Sequence, residues 1–96
     1  MDNILGEVTR LCLKHFDLEE KDLYSSTRKG DKVLARHLLW YVLHVDYGIS
    51  TGVLSKEFFR TRRQIFNAIN KIKNGIKKQR FYRDLYDGLM ENIKTV

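Results

Sequence analysis

Apolar residues recur along this chain with the 3.6-residue period of an amphipathic α-helix, and no segment sustains the alternation of a strand. The first segment predicts a helix ending near Phe16, with an apolar face made of Ile4, Leu5, Val8, Leu11 and Cys12. The last predicts a helix, roughly Phe81 to Ile93, that buries Phe81, Leu85, Leu89 and Ile93. The pattern therefore predicts an all-α fold whose core is built from helix faces.

A short helix and a long central helix are predicted between these two. Asp17 is predicted to cap the short one, Leu18 to Leu23, and a polar, basic loop follows at residues 25–30. Asp31 is predicted to cap the central helix, Lys32 to about Tyr47. Its inward positions cover most of its circumference: Val33, Leu34, Leu38, Trp40, Tyr41, Val42 and Val45. A helix that is apolar nearly all round is expected at the centre of a bundle.

A short helix, a tight turn and a longer basic helix follow Gly48, a residue type that readily ends a helix. Ser50 or Thr51 is predicted to cap the short helix, Gly52 to Phe58 or Phe59, whose inward residues are Val53, Leu54 and Phe58. Thr61 is predicted to cap the longer helix, whose buried stripe is Ile65, Ile69, Ile72 and Ile76. This order is typical of a helix-turn-helix. We therefore expect residues 1–96 to form a single domain, a compact bundle of five to six helices that contains this motif.

The composition favours a binding module over an enzyme or a membrane protein. The 96 residues are 43% hydrophobic and 31% charged, and none is proline. No stretch has the length and apolarity of a membrane span, and the N-terminus lacks the pattern of a signal peptide. The single cysteine, Cys12, is expected to be a reduced thiol in the core. Because no histidine, cysteine, serine or carboxylate group has the spacing of a metal or catalytic site, we expect no metal, no cofactor and no enzymatic activity.

Positive charge is concentrated in one part of the chain. The net charge is +6, and residues 53–83 hold ten Lys or Arg against one Asp or Glu. Such a block indicates a polyanionic partner, although a solvated basic face without a partner would have the same composition. The longer helix begins with Arg62, Arg63 and Gln64, and Asn67 follows one turn later. In the major groove Arg pairs with guanine, and Gln or Asn with adenine, so we predict these four residues as base contacts.

Phosphate or minor-groove contacts are predicted at basic and polar residues around this helix: Arg28, Lys29, Arg36, Lys56, Arg60, Thr61 and Lys71. Long cationic side chains suit contacts that position a protein on DNA without reading its sequence. Arg28 and Lys29 belong to the polar loop, where an ordinary surface turn is an equally good interpretation.

Several motifs follow one another in an order known from one protein family: Ser25-Ser26-Thr27-Arg28-Lys29, Ala35-Arg36-His37-Leu38, Leu54-Ser55-Lys56-Glu57-Phe58, and the run from Phe59 to Ala68. Together they resemble the C-terminal DNA-binding domain of the bacterial replication initiator DnaA, from about Ile4 to Leu89. The resemblance implies a Trp repressor-like helical fold, duplex DNA as partner, and a role in replication or transcription in the bacterial cytoplasm, associated with the nucleoid. The start at Met1 favours a free-standing relative over an excised domain.

The departures from the family fall in the segment that reads bases. Residues 61–64 are Thr, Arg, Arg and Gln where the family has Asp, His, Thr and Thr; Asn67 replaces a His, and Phe59 a Gly. The resemblance therefore implies duplex binding but argues against the same recognition sequence. The sequence has no Gly-rich loop followed by Gly-Lys-Ser/Thr, so nucleotide binding is not implied.

Two other functions stay open at this point. Phe59, Phe66 and Tyr82 are candidates for exposed aromatic residues, and contact with another protein through Phe59 and Phe66 would suit a module that kept the fold and lost DNA. Basic residues alone do not distinguish duplex DNA from RNA or from non-specific binding to nucleic acid.

Overall fold

The computed structural model of the chain describes residues 2–24 and 30–94. Six α-helices run through these ranges: α1 (Asp2–Phe16), α2 (Lys21–Tyr24), α3 (Gly30–Tyr41), α4 (Thr51–Phe58), α5 (Arg62–Lys78) and α6 (Arg80–Lys94). A π-helical turn, Val42–Asp46, continues α3. The described ranges contain no strand, and the Cα radius of gyration is 12.2 Å. The predicted all-α bundle is confirmed.

The end of α1 differs from the prediction. Asp17 has a left-handed backbone, with φ of 55°, and the N–H of Leu18 donates to the carbonyl of Leu13 at 2.8 Å. This bond closes the last turn of α1, so Asp17 ends the first helix instead of capping the second. α2 is a single turn, Lys21–Tyr24, and is shorter than the predicted helix from Leu18 to Leu23.

α3 begins at Gly30, so Asp31 lies in its first turn rather than at its cap. The helix continues into the π-helical turn, which a sequence pattern of period 3.6 does not reveal. Gly48 then takes a left-handed φ of 69°, and the N–H of Ile49 donates to the carbonyl of Leu43 at 3.0 Å. The helix therefore stops at the predicted glycine.

The buried core gathers around α3 and the π-helical turn, as the predicted central position requires. Leu39, Val42 and Leu43 have no exposed surface. The same cluster takes in side chains from α1, α4, α5 and α6: Val8, Cys12, Leu54, Phe58, Ile65, Ile69, Ile72, Leu89 and Ile93. Val45 and Val53 were predicted to point inward, but about half of each side chain is exposed. For Val45 the reason is the π-helical turn, which rotates the following residues relative to an α-helical face.

α5 and α6 approach each other closely at one point. A Cβ added at Gly75 would lie 2.7 Å from Cγ of Tyr82, so this crossing requires glycine. The contact leaves Tyr82 half-buried, although it was predicted to be exposed. Phe81, predicted inside, is 59% exposed, because α6 turns the following residue toward α5 instead.

Two further features bear on the predictions from composition. Cys12 is 1% exposed, and burial raises the pKa of its thiol to about 12, as expected of a thiol in the core. None of the helices in the described ranges is long and apolar enough to cross a membrane.

Candidate nucleic-acid interface

α4 and α5 are joined by a three-residue turn, Phe59 to Thr61, which is the predicted order of helix, turn and helix. Ser50 caps α4, its hydroxyl accepting from the N–H of Val53 at 3.2 Å. Phe59 ends α4 in a left-handed conformation with φ of 55° and ψ of 46°. The Ser55 carbonyl accepts from the N–H of Arg60 at 3.0 Å, and the Ser55 hydroxyl donates to the Arg60 carbonyl. These bonds fix the angle at which α5 leaves the turn.

The start of α5 is held by a capping box. The hydroxyl of Thr61 accepts from the N–H of Gln64 at 3.1 Å, and the Oε1 atom of Gln64 accepts from the N–H of Thr61 at 2.9 Å. Two amides that an uncapped helix would leave unbonded are thereby satisfied. The sequence predicted the cap at Thr61, but it assigned Gln64 to base contact alone.

The four predicted base-contact residues are all exposed, but they do not share one side of α5. Arg62 lies against the beginning of α4, where its guanidinium comes within 2.9 Å of the place a Cβ on Gly52 would occupy. Gln64 and Asn67 lie on the opposite flank, and Arg63 is between the two flanks at the helix start.

Gln64 and Asn67 border a cleft between α3, the turn and α5. Its volume is about 330 Å³, and its walls are Arg36, His37, Trp40, Arg60, Gln64, Asn67, Ala68 and Lys71. Three of these side chains are cationic, and they come from three different elements. Because like charges are costly to hold together, such a cleft is suited to an anion.

Arg36 was predicted as a phosphate contact, yet it is only 7% exposed and forms part of the inner wall of the cleft. Its Nη1 donates to the carbonyl of Asp22 at 3.2 Å. The carboxylate of Asp22 in turn accepts from Lys32 at 2.8 Å and from the N–H of Glu19 at 3.0 Å. These bonds, led by the one from Lys32, lower the pKa of Asp22 below its usual value. Arg36 is therefore held in place by α2, on the side away from the cleft.

Arg60 is also held in place. Its guanidinium lies over the ring of Trp40, 5.9 Å from the centroid, and its Nη2 donates to the carbonyl of Leu23 at 3.4 Å. Burial, followed by the charges of Lys71, Arg36 and Arg60, lowers the pKa of His37 to about 4. His37 is thus neutral at pH 7, and the positive charge of the cleft comes from its arginines and lysine.

The other predicted contacts have varied positions. Lys56 is exposed on α4, and Thr61 serves as the cap of α5. Arg28 and Lys29 lie outside the described residues.

Two of the aromatic residues predicted to be exposed are so: Phe59 is 80% exposed and Phe66 is 55% exposed. Among the described residues no group of three or more His, Cys, Asp or Glu side chains could hold a metal ion.

His37 and Trp40 were not among the predicted site residues. Both lie on α3, far from α5 in sequence, and a search for readout residues within one helix does not reach them. The only signal available was the Ala35-Arg36-His37 motif within the family resemblance.

Comparison with known proteins agrees with that resemblance. No protein-family model matches the chain. It is similar to the chromosomal replication initiator protein DnaA of Leptospira biflexa serovar Patoc, 26% identical over 86 residues for each of two strains. The match covers 90% of this chain and 20% of each initiator, so the chain spans about a fifth of the length of the curated relatives it matches. The extent of the match is consistent with a DnaA C-terminal-like domain.

Proposed function

We propose that this chain binds duplex DNA, with the start of α5 in the major groove and a backbone phosphate at the cleft. The observation that carries the proposal is the convergence of Arg36, Arg60 and Lys71 on one cleft beside an exposed helix start. The similarity to a replication initiator supports it, since the match extends over 86 residues and 90% of this chain. We further propose that the chain acts in replication or transcription control, as a binding module without catalytic activity.

The start of α5 suits a major groove for two reasons. Ile65 is the first residue of α5 whose N–H bonds to the turn carbonyl, at 3.1 Å from Thr61, so the amides of Arg62 and Arg63 precede the helical ladder. Amides at a helix N-terminus, together with the helix dipole, attract phosphate. The exposed side chains of Arg63 and Asn67 then face outward with groups that pair with base edges.

The matching test is a salt titration of duplex affinity. Duplexes enriched from a random pool are bound to the full chain, and the dissociation constant is measured by fluorescence anisotropy between about 50 and 200 mM salt. Counterion release by Arg36, Lys56, Arg60, Lys71 and the basic loop predicts a log–log slope of about −4 to −6. A flat salt response, or no binding at low salt, contradicts the proposal.

A second candidate function is protein recognition through Phe59 and Phe66. Their exposure favours it, because aromatic side chains outside a core are common in protein interfaces. This alternative predicts that charge reversal at Arg62 and Arg63 leaves the biological activity intact. Duplex binding predicts that the same change abolishes it.

Competition among duplex DNA, single strands and RNA separates duplex recognition from general binding to nucleic acid.

A further inference from the structure

We propose that Gln64 recognises an acceptor edge in the major groove and so favours guanine over adenine. The inference rests on the duplex-binding function proposed above and names part of its sequence preference. Gln is ordinarily an adenine reader, because its amide offers one acceptor and one donor side by side. At Gln64 the structure commits the acceptor elsewhere.

The amide orientation of Gln64 is fixed by the capping box. The side-chain Oε1 atom of Gln64 accepts from the backbone N–H of Thr61 at 2.9 Å, and the backbone N–H of Gln64 donates to the hydroxyl of Thr61 at 3.1 Å. The reverse amide orientation would place Nε2, a donor, against the backbone N–H, which is also a donor. The hydrogen-bond network therefore assigns the oxygen to the cap and turns the NH₂ group away from it.

An adenine pairs with both amide atoms only when the two face the base together. In Gln64 the oxygen is directed at the N–H of Thr61, so the part of the amide that points away from the cap carries donors alone. Guanine presents two adjacent acceptors, N7 and O6, to the major groove, whereas adenine presents one acceptor beside a donor and cytosine a donor. A group that only donates therefore matches guanine best.

Asn67 provides an internal contrast. It lies nearly one helical turn further along the same flank, it is exposed, and the described residues hold no hydrogen bond to its side-chain amide. Both of its amide atoms are available to a base. We therefore expect guanine at the base pair that depends on Gln64, and adenine at the base pair that depends on Asn67.

The experiment compares the base preferences of the unmodified chain with those of Gln64→Glu. A glutamate keeps the capping box, because its carboxylate also accepts from the N–H of Thr61, but it has no donor to offer a base. Thermal melting of both proteins shows whether the cap and the fold are kept. Bound duplexes are then selected from one random pool, and the Asn67→Ala variant serves as the matched control on the same flank.

The expected result is a guanine preference of about tenfold at one base pair for the unmodified chain, changed to cytosine in Gln64→Glu because a carboxylate accepts from the cytosine amino group. Asn67→Ala should leave that base pair unchanged and relax a different one. An adenine preference at the position that responds to Gln64→Glu, or no response at any position, overturns this inference alone. If the unmodified chain enriches no duplex and shows no salt-dependent affinity, duplex binding itself fails and the inference falls with it.

Discussion

The two flanks of α5 carry similar side chains but have different surroundings. The cleft flank, defined by Gln64, Asn67 and Lys71, faces Arg36 and Arg60 across a cleft of about 330 Å³. The outer flank, defined by Arg62, Phe66 and Lys73, is exposed, and Arg62 lies against Gly52 of α4. Both flanks are basic, so composition alone does not rank them. The difference is that tertiary structure places two further cations, Arg36 and Arg60, beside the cleft flank, which strengthens the field there for a phosphate.

The sharpest way to break this comparison is to reverse one charge on each flank. Lys71→Glu places a carboxylate in the cleft, and we expect duplex affinity to fall about 10- to 100-fold, with the salt slope reduced by about 1. Lys73→Glu is the matched control, an exposed lysine two residues away on the outer flank of the same helix, and we expect a loss of about threefold or less. Anisotropy titrations with one duplex measure both. Equal losses would mean that the cleft has no special part in binding.

The second prediction concerns the anchoring of the inner wall. Arg36→Ala removes a buried guanidinium and its bond to the Asp22 carbonyl, so we expect the free energy of unfolding to fall by about 2 kcal/mol. Arg62→Ala removes an exposed guanidinium from the outer flank and should change stability by less than about 0.5 kcal/mol. Urea denaturation followed by circular dichroism measures both variants. If Arg36→Ala is as stable as Arg62→Ala, the cleft does not depend on this anchor.

The sequence was sufficient for features that depend on neighbours along the chain. The helical period, the stop at Gly48, the caps at Ser50 and Thr61, and the stripe of isoleucines in α5 are all local, and the structure has each of them. Propensity and capping are decided within a few residues, which is why they can be predicted.

The sequence was insufficient where distant elements meet. The π-helical turn changes the helical phase, and with it the exposure of Val45. Arg36 looks like any surface arginine until Asp22 is placed behind it. Gln64 looks like a reader of adenine until its oxygen is found in the cap of α5. In each case the deciding partner is chosen by packing or by a competing hydrogen bond, and neither follows from residue type and spacing.

The third prediction uses His37 as a probe of the cleft. In the free protein burial and three nearby cations hold its pKa at about 4, below the usual value of about 6.5. A phosphate in the cleft would offset those cations and raise the pKa of His37. The bound state would then take up a proton more readily than the free state. Duplex affinity should therefore rise as the pH falls from 7 toward the raised pKa of His37, by about two- to fivefold between pH 7 and pH 5.

The measurement is a proton-detected NMR titration of the histidine rings, with and without duplex. His44 lies in the π-helical turn, and its Nδ1 atom is 2.7 Å from the carbonyl oxygen of Ile49. Its ring serves as the internal reference for changes outside the cleft. His37→Gln should abolish the added pH dependence of affinity. A pKa of His37 that is the same in the presence of duplex would place the phosphate somewhere other than this cleft.

The smallest expected effect is at Phe59, which ends α4 in the turn before α5. Its left-handed backbone, with φ of 55°, is costly for any residue with a Cβ and free of strain for glycine. Phe59→Gly and Phe59→Ala both remove the ring and its contact with Tyr24, 5.8 Å between centroids, so the two variants differ mainly in backbone strain.

We expect Phe59→Gly to be more stable than Phe59→Ala by about 1 kcal/mol, measured by thermal and urea unfolding. If duplex DNA is held by the cleft flank, both variants should bind it as the unmodified chain does, because the exposed ring is not part of the cleft. A large and equal loss of affinity in both variants would show that the ring itself touches DNA. The interface would then extend from the cleft across the turn, and the distinction between the two flanks would no longer describe how this domain binds.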